Sequence, residues 1–354
     1  MNSHYSMNRR KFLKQSTVIS LGGLFMPWPA FRQGRPPGDI SSSGGKFVPV
    51  MLTPYNSDLS VDFEGLSRLT DFYLESGAEG LFANCLSSEM YNLTESERLA
   101  VTQHVVNRVG RKVPVVSTGS FGKSMEETAS FSKRIYDSGV EAVILVSNHF
   151  VNREESDDVL IRNLEHFLSI TKPVKLGTYE CPSPYKRIIT PKVYSFLLET
   201  GRFFYHKDTT ENIDAIVAKL RLSEGSPLKL YNAHSASAVE SLRAGAAGMS
   251  PISGNFYPEI IQWICKNAND PAKQNDADWI QQEISQAEKI ISNGYPNSAK
   301  YFLRKRGLNI REGSRTRKGG LSVEQTKGLD EVYARFLAWC DRLEIIPVKR
   351  KLSM

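Results

Sequence analysis

Residues 141–177 read EAVILVSNHFVNREESDDVLIRNLEHFLSITKPVKLG. An apolar run, Val143–Val146, leads through a helical segment, Asp157–Ile170, to a second apolar run, Val174–Gly177. Two short apolar strands joined through a helix form a parallel pair, because a parallel crossover needs a helix-sized connection. The same order repeats in both directions. Upstream lie apolar runs at Phe47–Leu52, Gly80–Ala83 and Val113–Val116, and downstream at Phe203–His206, Lys229–Tyr231 and Met249–Ile252. Helical segments lie between them. Asp62–Ser76 carries Phe63, Leu66, Leu69, Phe72 and Tyr73 at helical spacing, and Pro191–Thr200, Glu211–Leu222 and Ser235–Ala244 follow later. Thr94 with Glu97 and Ser124 with Glu127 read as capping boxes that open two more helices.

Eight strands with seven helices between them, at roughly thirty residues per unit, predict an α/β chain closed as a (β/α)8 TIM barrel. An open doubly wound sheet would carry a Gly-rich phosphate loop after its first strand. Here that strand ends in Thr53-Pro54-Tyr55. Helical segments around Glu259–Lys266, Ala277–Ile291, Ser298–Lys305 and Val323–Arg342 exceed what one closing helix needs, so additional C-terminal helices are expected.

The N-terminus has a different character. Asn8-Arg9-Arg10-Lys11-Phe12-Leu13-Lys14 precedes a modest apolar run, Thr17–Met26, and a Pro27-Trp28-Pro29-Ala30 exit. The run is too short to cross a bilayer, which takes about 20 apolar residues. It reads as a signal peptide and resembles the twin-arginine export signal, with Asn8 where Ser or Thr usually stands. A disordered basic terminus is the alternative. The expected organisation is a signal over 1–30, a Pro-, Gly- and Ser-rich linker over 31–45, the barrel over 46–256 and a helical extension over 257–354. Export through the twin-arginine route would place the protein in the periplasm.

The formal charge is +7, and without Arg9, Arg10, Lys11 and Lys14 it is +3. Part of the basic balance is therefore a targeting signal, and nucleic acid is not expected as a partner. The basic stretch Arg304–Lys318 lacks interleaved aromatics and reads as a solvated loop, with an anion-reading patch as the alternative. Cys85, Cys181, Cys265 and Cys340 have no CxxC spacing, so zinc is not expected and their redox state stays open.

In a barrel of this kind reactive groups gather at the C-terminal ends of the strands. Lys207 ends the run Phe203-Phe204-Tyr205, which would draw its ammonium inside the barrel mouth. Burial disfavours the charged form and makes a neutral amine available to attack a carbonyl. The competing reading pairs Lys207 with Asp208 in a structural salt bridge. Tyr179 ends the neighbouring strand, where a phenol can pass a proton to a substrate oxygen or can simply pack under a loop. Ser87 and Ser88, after the second strand, offer hydroxyls and backbone N–H groups to a carboxylate, or form an ordinary turn. Ser250, at the end of the eighth strand, is a further candidate for the substrate. His149 and His234 also lie at strand ends, as acid–base candidates or as structural histidines.

These residues together resemble the dihydrodipicolinate synthase and N-acetylneuraminate lyase family, from about Phe47 to about Leu308. Val50-Met51-Leu52-Thr53-Pro54 followed by Asp62 is similar to the family's first strand and helix. Ser76-Gly77-Ala78-Glu79-Gly80-Leu81 leads into Cys85-Leu86-Ser87-Ser88-Glu89, where the family has Gly-[Ser/Thr]-Thr-Gly-Glu. Tyr179-Glu180-Cys181-Pro182 stands for Tyr-Asn-x-Pro, and Lys207-Asp208-Thr209-Thr210 matches Lys-[Asp/Glu]-[Ser/Thr]. Gly245-Ala246-Ala247-Gly248 and Asn255 resemble its Gly-Ala-x-Gly and later Asn.

The resemblance implies a class I aldolase-type lyase acting on a pyruvate-type 2-keto acid or a keto sugar acid. By the same implication Lys207 forms the Schiff base, Tyr179 shuttles protons and Ser87 holds the carboxylate. The covalent imine would leave no need for a metal or organic cofactor, and a homo-oligomer, dimer or tetramer, is expected. There are departures. Leu86 and Phe150 stand where the synthase branch has hydroxyl-bearing relay residues, Cys85 and Ser88 replace glycines, and Pro184 replaces a substrate-binding arginine. These losses and the export signal argue against a role in lysine biosynthesis. A catalytically silent barrel that binds a keto acid or sugar acid without turnover is the alternative, and a dehydratase or hydrolase that keeps the imine is a third reading.

Overall fold

The computed structural model describes residues 44–348. Residues 1–43, with the expected export signal and nearly all of the linker, lie outside the described residues. Eight parallel strands alternate with helices in the expected order. They are β1 (Lys46–Phe47), β2 (Leu81–Phe82), β3 (Val115–Thr118), β4 (Ala142–Val146), β5 (Leu176–Tyr179), β6 (Phe203–Asp208), β7 (Lys229–Asn232) and β8 (Gly248–Met249). The helices are α1 (Phe63–Glu75), α2 (Glu95–Val109), α3 (Met125–Asp137), α4 (Asp157–Ile170), α5 (Pro191–Glu199), α6 (Ile213–Leu222), α7 (Ala238–Arg243) and α8 (Pro258–Asn267). Beyond them come α9 (Gln274–Ser292), α10 (Asn297–Lys305) and α11 (Val323–Arg342).

The ladder runs β1-β8-β7-β6-β5-β4-β3-β2. A parallel bridge between Val50 and Phe82 joins its two ends and closes the barrel. Alternation along the first strand gives that closure its form. The segment expected as one strand, Phe47–Leu52, pairs with β8 only over Lys46 and Phe47. Lys46 and Val48 donate to Ala247 O and Met249 O of the β8 side at 2.9 Å, while Phe47, Pro49 and Met51 face β2. Glu79 N donates to Phe47 O, Phe82 N to Pro49 O and Met51 N to Phe82 O, so the N–H that Pro49 lacks is one that would face β2. Pro251, which has no N–H to donate, follows β8, and Ile252–Asn255 forms a 3-10 turn instead of continuing the expected strand.

Local sequence explains the helices. Thr94 and Glu97 cap α2 reciprocally. Ser124 caps α3, but Glu127 reaches back to the N–H of Lys123 rather than that of Ser124, so the second expected box is only half formed. On α1, Leu66, Leu69, Phe72 and Tyr73 are buried, while Phe63 stays 37% exposed and rests on the His104 ring.

Two apolar layers result. Outside the sheet, the large core packs helices against the barrel. Inside, Val48, Val50, Phe82, Val116, Ile144, Val146, Tyr179, Tyr205 and Tyr231 fill the lumen, so the barrel is a packed core and not a channel. All four cysteines are buried free thiols, two of them, Cys85 and Cys181, within this inner cluster.

The C-terminal helices pack tightly on the barrel. Trp339 lies edge-on to Tyr257 and donates its indole N–H to Glu283 at 2.8 Å. The Arg306 guanidinium sits between the Phe72 and Phe336 rings and pairs with buried Glu259. The basic stretch Arg304–Lys318 is only in part the solvated loop expected: Arg311 and Lys318 are exposed, whereas others of its cations are held in ion pairs. Arg304 pairs with Glu312, Arg306 with Glu259, and Arg315 with Glu97 through both guanidinium nitrogens. Glu312 lies within the stretch itself, but Glu259 and Glu97 are far away in sequence, which is why much of the charge looks unmatched when read along the chain. Glu89 holds the segment at the barrel mouth, accepting from Ser314 Oγ and from the N–H groups of Arg315 and Thr316.

The β1–β8 seam has no room for a side chain at Gly248, whose Cβ would run into the Lys46 carbonyl oxygen. Gly248→Ala is expected to cost about 3 kcal/mol or abolish folding, because a packed seam cannot absorb an extra methyl group. Urea unfolding measures this; a midpoint equal to wild type would show the seam to be loose.

Candidate active site

Strand alternation sends successive side chains to opposite faces, and on β5 and β6 this separates two pairs of polar residues. Tyr179 and Lys207 are direct register partners and face the lumen. Glu180 and Asp208, each one residue later, face outward toward α6. The expected strand ends were short: β5 was read as Val174–Gly177 and β6 as ending at His206, whereas the ladder continues through Tyr179 and Asp208. Both lumen-facing groups are thus held by sheet hydrogen bonds rather than carried on loops.

Lys207 is 4% exposed, and its ammonium lies 4.5 Å from the centre of the Tyr179 ring and 5.9 Å from that of Phe82. It makes no ion pair among the described residues. Burial lowers its pKa to about 8, against a weaker opposing pull from Cys85 and Cys181. The competing salt bridge to Asp208 is not formed, since Asp208 points the other way. Tyr179 stays a phenol: burial, with Cys181 and Cys85 nearby, pushes its hydroxyl well above the ordinary range.

Behind this pair, the Lys219 ammonium from α6 is 2.6 Å from both Glu180 Oε1 and Asp208 Oδ2, all fully buried. Glu180 also accepts from the N–H groups of Ile189 and Thr209 at 2.9 and 2.8 Å. Burial alone would raise the Asp208 carboxyl, but His206 and Lys219 hold it well below the usual carboxylate range. Glu180, His206 and Asp208 could by themselves ligate a metal. The Lys219 ammonium already fills the space between the two carboxylates, so the residues present do not suit one.

Over the lumen opens a cavity of about 530 Å3, in the size range of small-molecule sites. Tyr179, Lys207, Ser87 and His234 line it, as do Leu86, Tyr91, Lys186, Thr209, Glu211, Glu288 and Tyr295. Two expected contributors do not reach it. Ser88 donates to Met51 O at 2.7 Å and receives the Cys85 N–H at 3.0 Å, which builds the turn and leaves its hydroxyl committed beneath the cavity. Ser250 donates to Val48 O at 2.8 Å and accepts from Tyr205 at 3.1 Å, again below the floor. Ser87 does line the cavity, beside the Tyr295 hydroxyl.

His149 lies outside the lining, with Nε2 3.0 Å from the Tyr91 hydroxyl and Nδ1 against Ser120. Burial keeps it below the usual imidazole range. Phe150 is turned into the outer core against Phe167, so the missing hydroxyl there is not replaced at that position. Sequence reading did not find Tyr91, Tyr295 or Glu288. The first follows the β2 turn and the others come from the C-terminal extension, far from any strand end.

A model described as the Dihydrodipicolinate synthetase family matches residues 44–332. The chain is 25% identical over 259 residues to a 4-hydroxy-tetrahydrodipicolinate synthase of Saccharophagus degradans, covering 73% of this chain and 87% of that one. It is 25% identical over 217 residues to the synthase of Nitrosococcus oceani, covering 61% and 72%. Among solved structures it is similar to YagE from Escherichia coli K12, solved in complex with pyruvate, at TM-score 0.72 and 20% identity, covering 85% and 99%. It is also similar to the 4-hydroxy-tetrahydrodipicolinate synthase of Methylacidiphilum fumariolicum SolV at TM-score 0.75 and 18% identity, covering 85% and 98%.

Removing Lys219 would leave two buried carboxylates uncompensated. Lys219→Met is expected to destabilise the protein by about 3–5 kcal/mol, read from urea unfolding. A loss under about 1 kcal/mol, the worth of an exposed pair, would show that the carboxylates are hydrated and do not depend on Lys219.

Proposed function

The chain belongs to the dihydrodipicolinate synthetase family, a family of class I aldolase-type lyases, and on that footing we propose that it splits or joins a carbon–carbon bond next to a pyruvate-type 2-keto acid, as in a keto sugar acid, through an imine on Lys207. One observation carries this reading: a lysine without a counter-ion, buried at the cavity floor with its pKa lowered to about 8, against the ring of a buried tyrosine.

The neutral amine of Lys207 adds to the keto carbon, and loss of water leaves a protonated imine. In the cleavage direction the breaking C–C bond delivers its electron pair into that imine and forms an enamine. Protonation of the enamine carbon and hydrolysis then release the keto acid and restore the amine. Tyr179, kept protonated by burial, is placed to give and take the proton on the leaving oxygen. Ser87, with the N–H groups of its turn, holds the keto-acid carboxylate. The imine supplies the electron sink that a metal or organic cofactor would otherwise provide. The pyruvate complex of the YagE relative supports the three-carbon part of this substrate.

A silent barrel that binds such an acid without turnover is the second reading. Apolar Leu86 on the cavity wall and the commitment of Ser88 below it favour that reading. Export by the leader and self-association as a dimer or tetramer belong to the proposal, supported by the Arg9-Arg10 signal pattern and by the family resemblance respectively.

Lys207→Ala is expected to abolish pyruvate release from a keto sugar acid. Tyr179→Phe should lower kcat by about 10²–10⁴ while substrate still binds. Because only the neutral amine attacks, imine formation should accelerate tenfold per pH unit below about 8 and level off above it. Timed borohydride quenching reads that profile; a flat rate between pH 6 and 9 contradicts the lowered pKa.

A further inference from the structure

Helix α9 brings to the cavity an acid that the reaction above does not use. Glu288 lies on the wall with Glu211 and His234, reached from the C-terminal extension and not from a strand end. One carboxyl oxygen, Oε2, is buried with no hydrogen-bond partner among the described residues. The carboxyl also interacts with the Ser235 hydroxyl. A buried polar atom without a partner is costly and uncommon, and beside a cavity its natural partner is a ligand.

Its position is fixed. Gln281, two turns earlier on the same face of α9, donates to Ser235 O at 2.7 Å and accepts the Val239 N–H at 2.8 Å. On the adjoining flank, Ile284, Ala287 and Ile291 are buried in the core. The helix therefore cannot swing Glu288 away without breaking both attachments.

The two acids of this wall are pushed in opposite directions. Burial first, then the nearness of Glu211, pushes the Glu288 carboxyl up, against the pull of Ser235. Glu211 is held down by its bond to Lys186. The Lys186 ammonium is spent on Glu211 Oε1 and Thr209 O, both at 2.8 Å. This end of the cavity thus offers a carboxyl that burial pushes toward its neutral form and a carboxylate, and its one lysine, Lys186, is already bonded to that carboxylate. A second carboxylate on the substrate would find like charge here. A hydroxyl, which both donates and accepts, would satisfy the open oxygen.

The space agrees. A three-carbon keto acid has six non-hydrogen atoms. Even at the ~30 Å3 that a whole water occupies in the liquid, it fills about a third of the 530 Å3 cavity. We propose that Glu288 selects the distal half of the substrate, binding a hydroxyl of an uncharged polyhydroxy chain and excluding a substrate that ends in a second carboxylate. This rests on the keto-acid reading only for where the first three carbons lie.

The test compares two six-carbon 2-keto acids, a 2-keto-3-deoxyhexonate with a hydroxylated tail and 2-oxoadipate with a terminal carboxylate. Calorimetric titration of the purified full chain reads binding without requiring an imine, so a missing adduct counts against Lys207 and leaves this comparison standing. The wild type should prefer the hexonate by about tenfold or more, as expected where a site is built around a hydroxyl. Glu288→Leu should reduce that ratio to about threefold or less, and Glu288→Gln, neutral and of the same shape, should keep most of it. Thermal unfolding of both variants checks that they are folded; if the leucine variant is not, the glutamine variant and the wild-type ratio decide. No preference in the wild type, an unchanged ratio in a folded Glu288→Leu, or a loss in Glu288→Gln as large as in the leucine variant would each overturn the proposal.

Discussion

Two carboxylates and one ammonium, closed away from water behind the sheet, hold the ends of β5 and β6 side by side. Lys219 bonds Glu180 and Asp208 at 2.6 Å each, and those residues directly follow Tyr179 and Lys207. Because a strand alternates its faces, fixing Glu180 and Asp208 on the outside fixes Tyr179 and Lys207 on the inside. A slip of one residue would exchange the pairs and put the lysine into the helix layer. The ion cluster and the candidate active site are two faces of one register. This also accounts for the form of Lys207: with the neighbouring carboxylate engaged behind the sheet, no carboxylate among the described residues pairs with its ammonium, and burial lowers its pKa against the weaker pull of Cys85 and Cys181.

The helical extension completes the cavity instead of merely decorating the barrel. Buried Lys300 on α10 pairs with Glu89 at 3.2 Å and donates to Gly313 O at 2.6 Å. Glu89 in turn anchors the strap that places Thr316 on the cavity wall. Tyr295 and Glu288 enter from the same extension. The reactive end of the cavity is therefore built on sheet strands, while the end that meets the rest of a substrate is built on helices and loops that can vary without disturbing the barrel.

The barrel was legible because each apolar run is short, continuous and followed by a helical pattern. Its strand limits were less so, since the first strand shares its short length between β8 and β2, and Pro251 follows the last, in ways that hydrophobicity does not register. Lys207, Tyr179 and Ser87 could be found by the rule that strand ends face the mouth. The same rule wrongly promoted Ser88 and Ser250, because a serine at a strand end reads identically whether its hydroxyl points to the cavity or back to a carbonyl. Lys219 carried a signal that went unread: a lysine three residues after Ile216, on the buried side of α6, calls for a buried counter-charge. Tyr91, Glu288 and Tyr295 had no comparable signal. Their place at the mouth depends on how far the chain travels before returning, which only the tertiary structure supplies.

The account stands on the chemistry of one nitrogen. Intact-mass spectrometry of the protein treated with pyruvate and borohydride, followed by peptide mapping, addresses it most directly. The account predicts a single reduced pyruvate adduct, located on Lys207 and absent from Lys207→Ala. An unmodified protein, with pyruvate and longer 2-keto acids alike, or an adduct on another lysine, would contradict it.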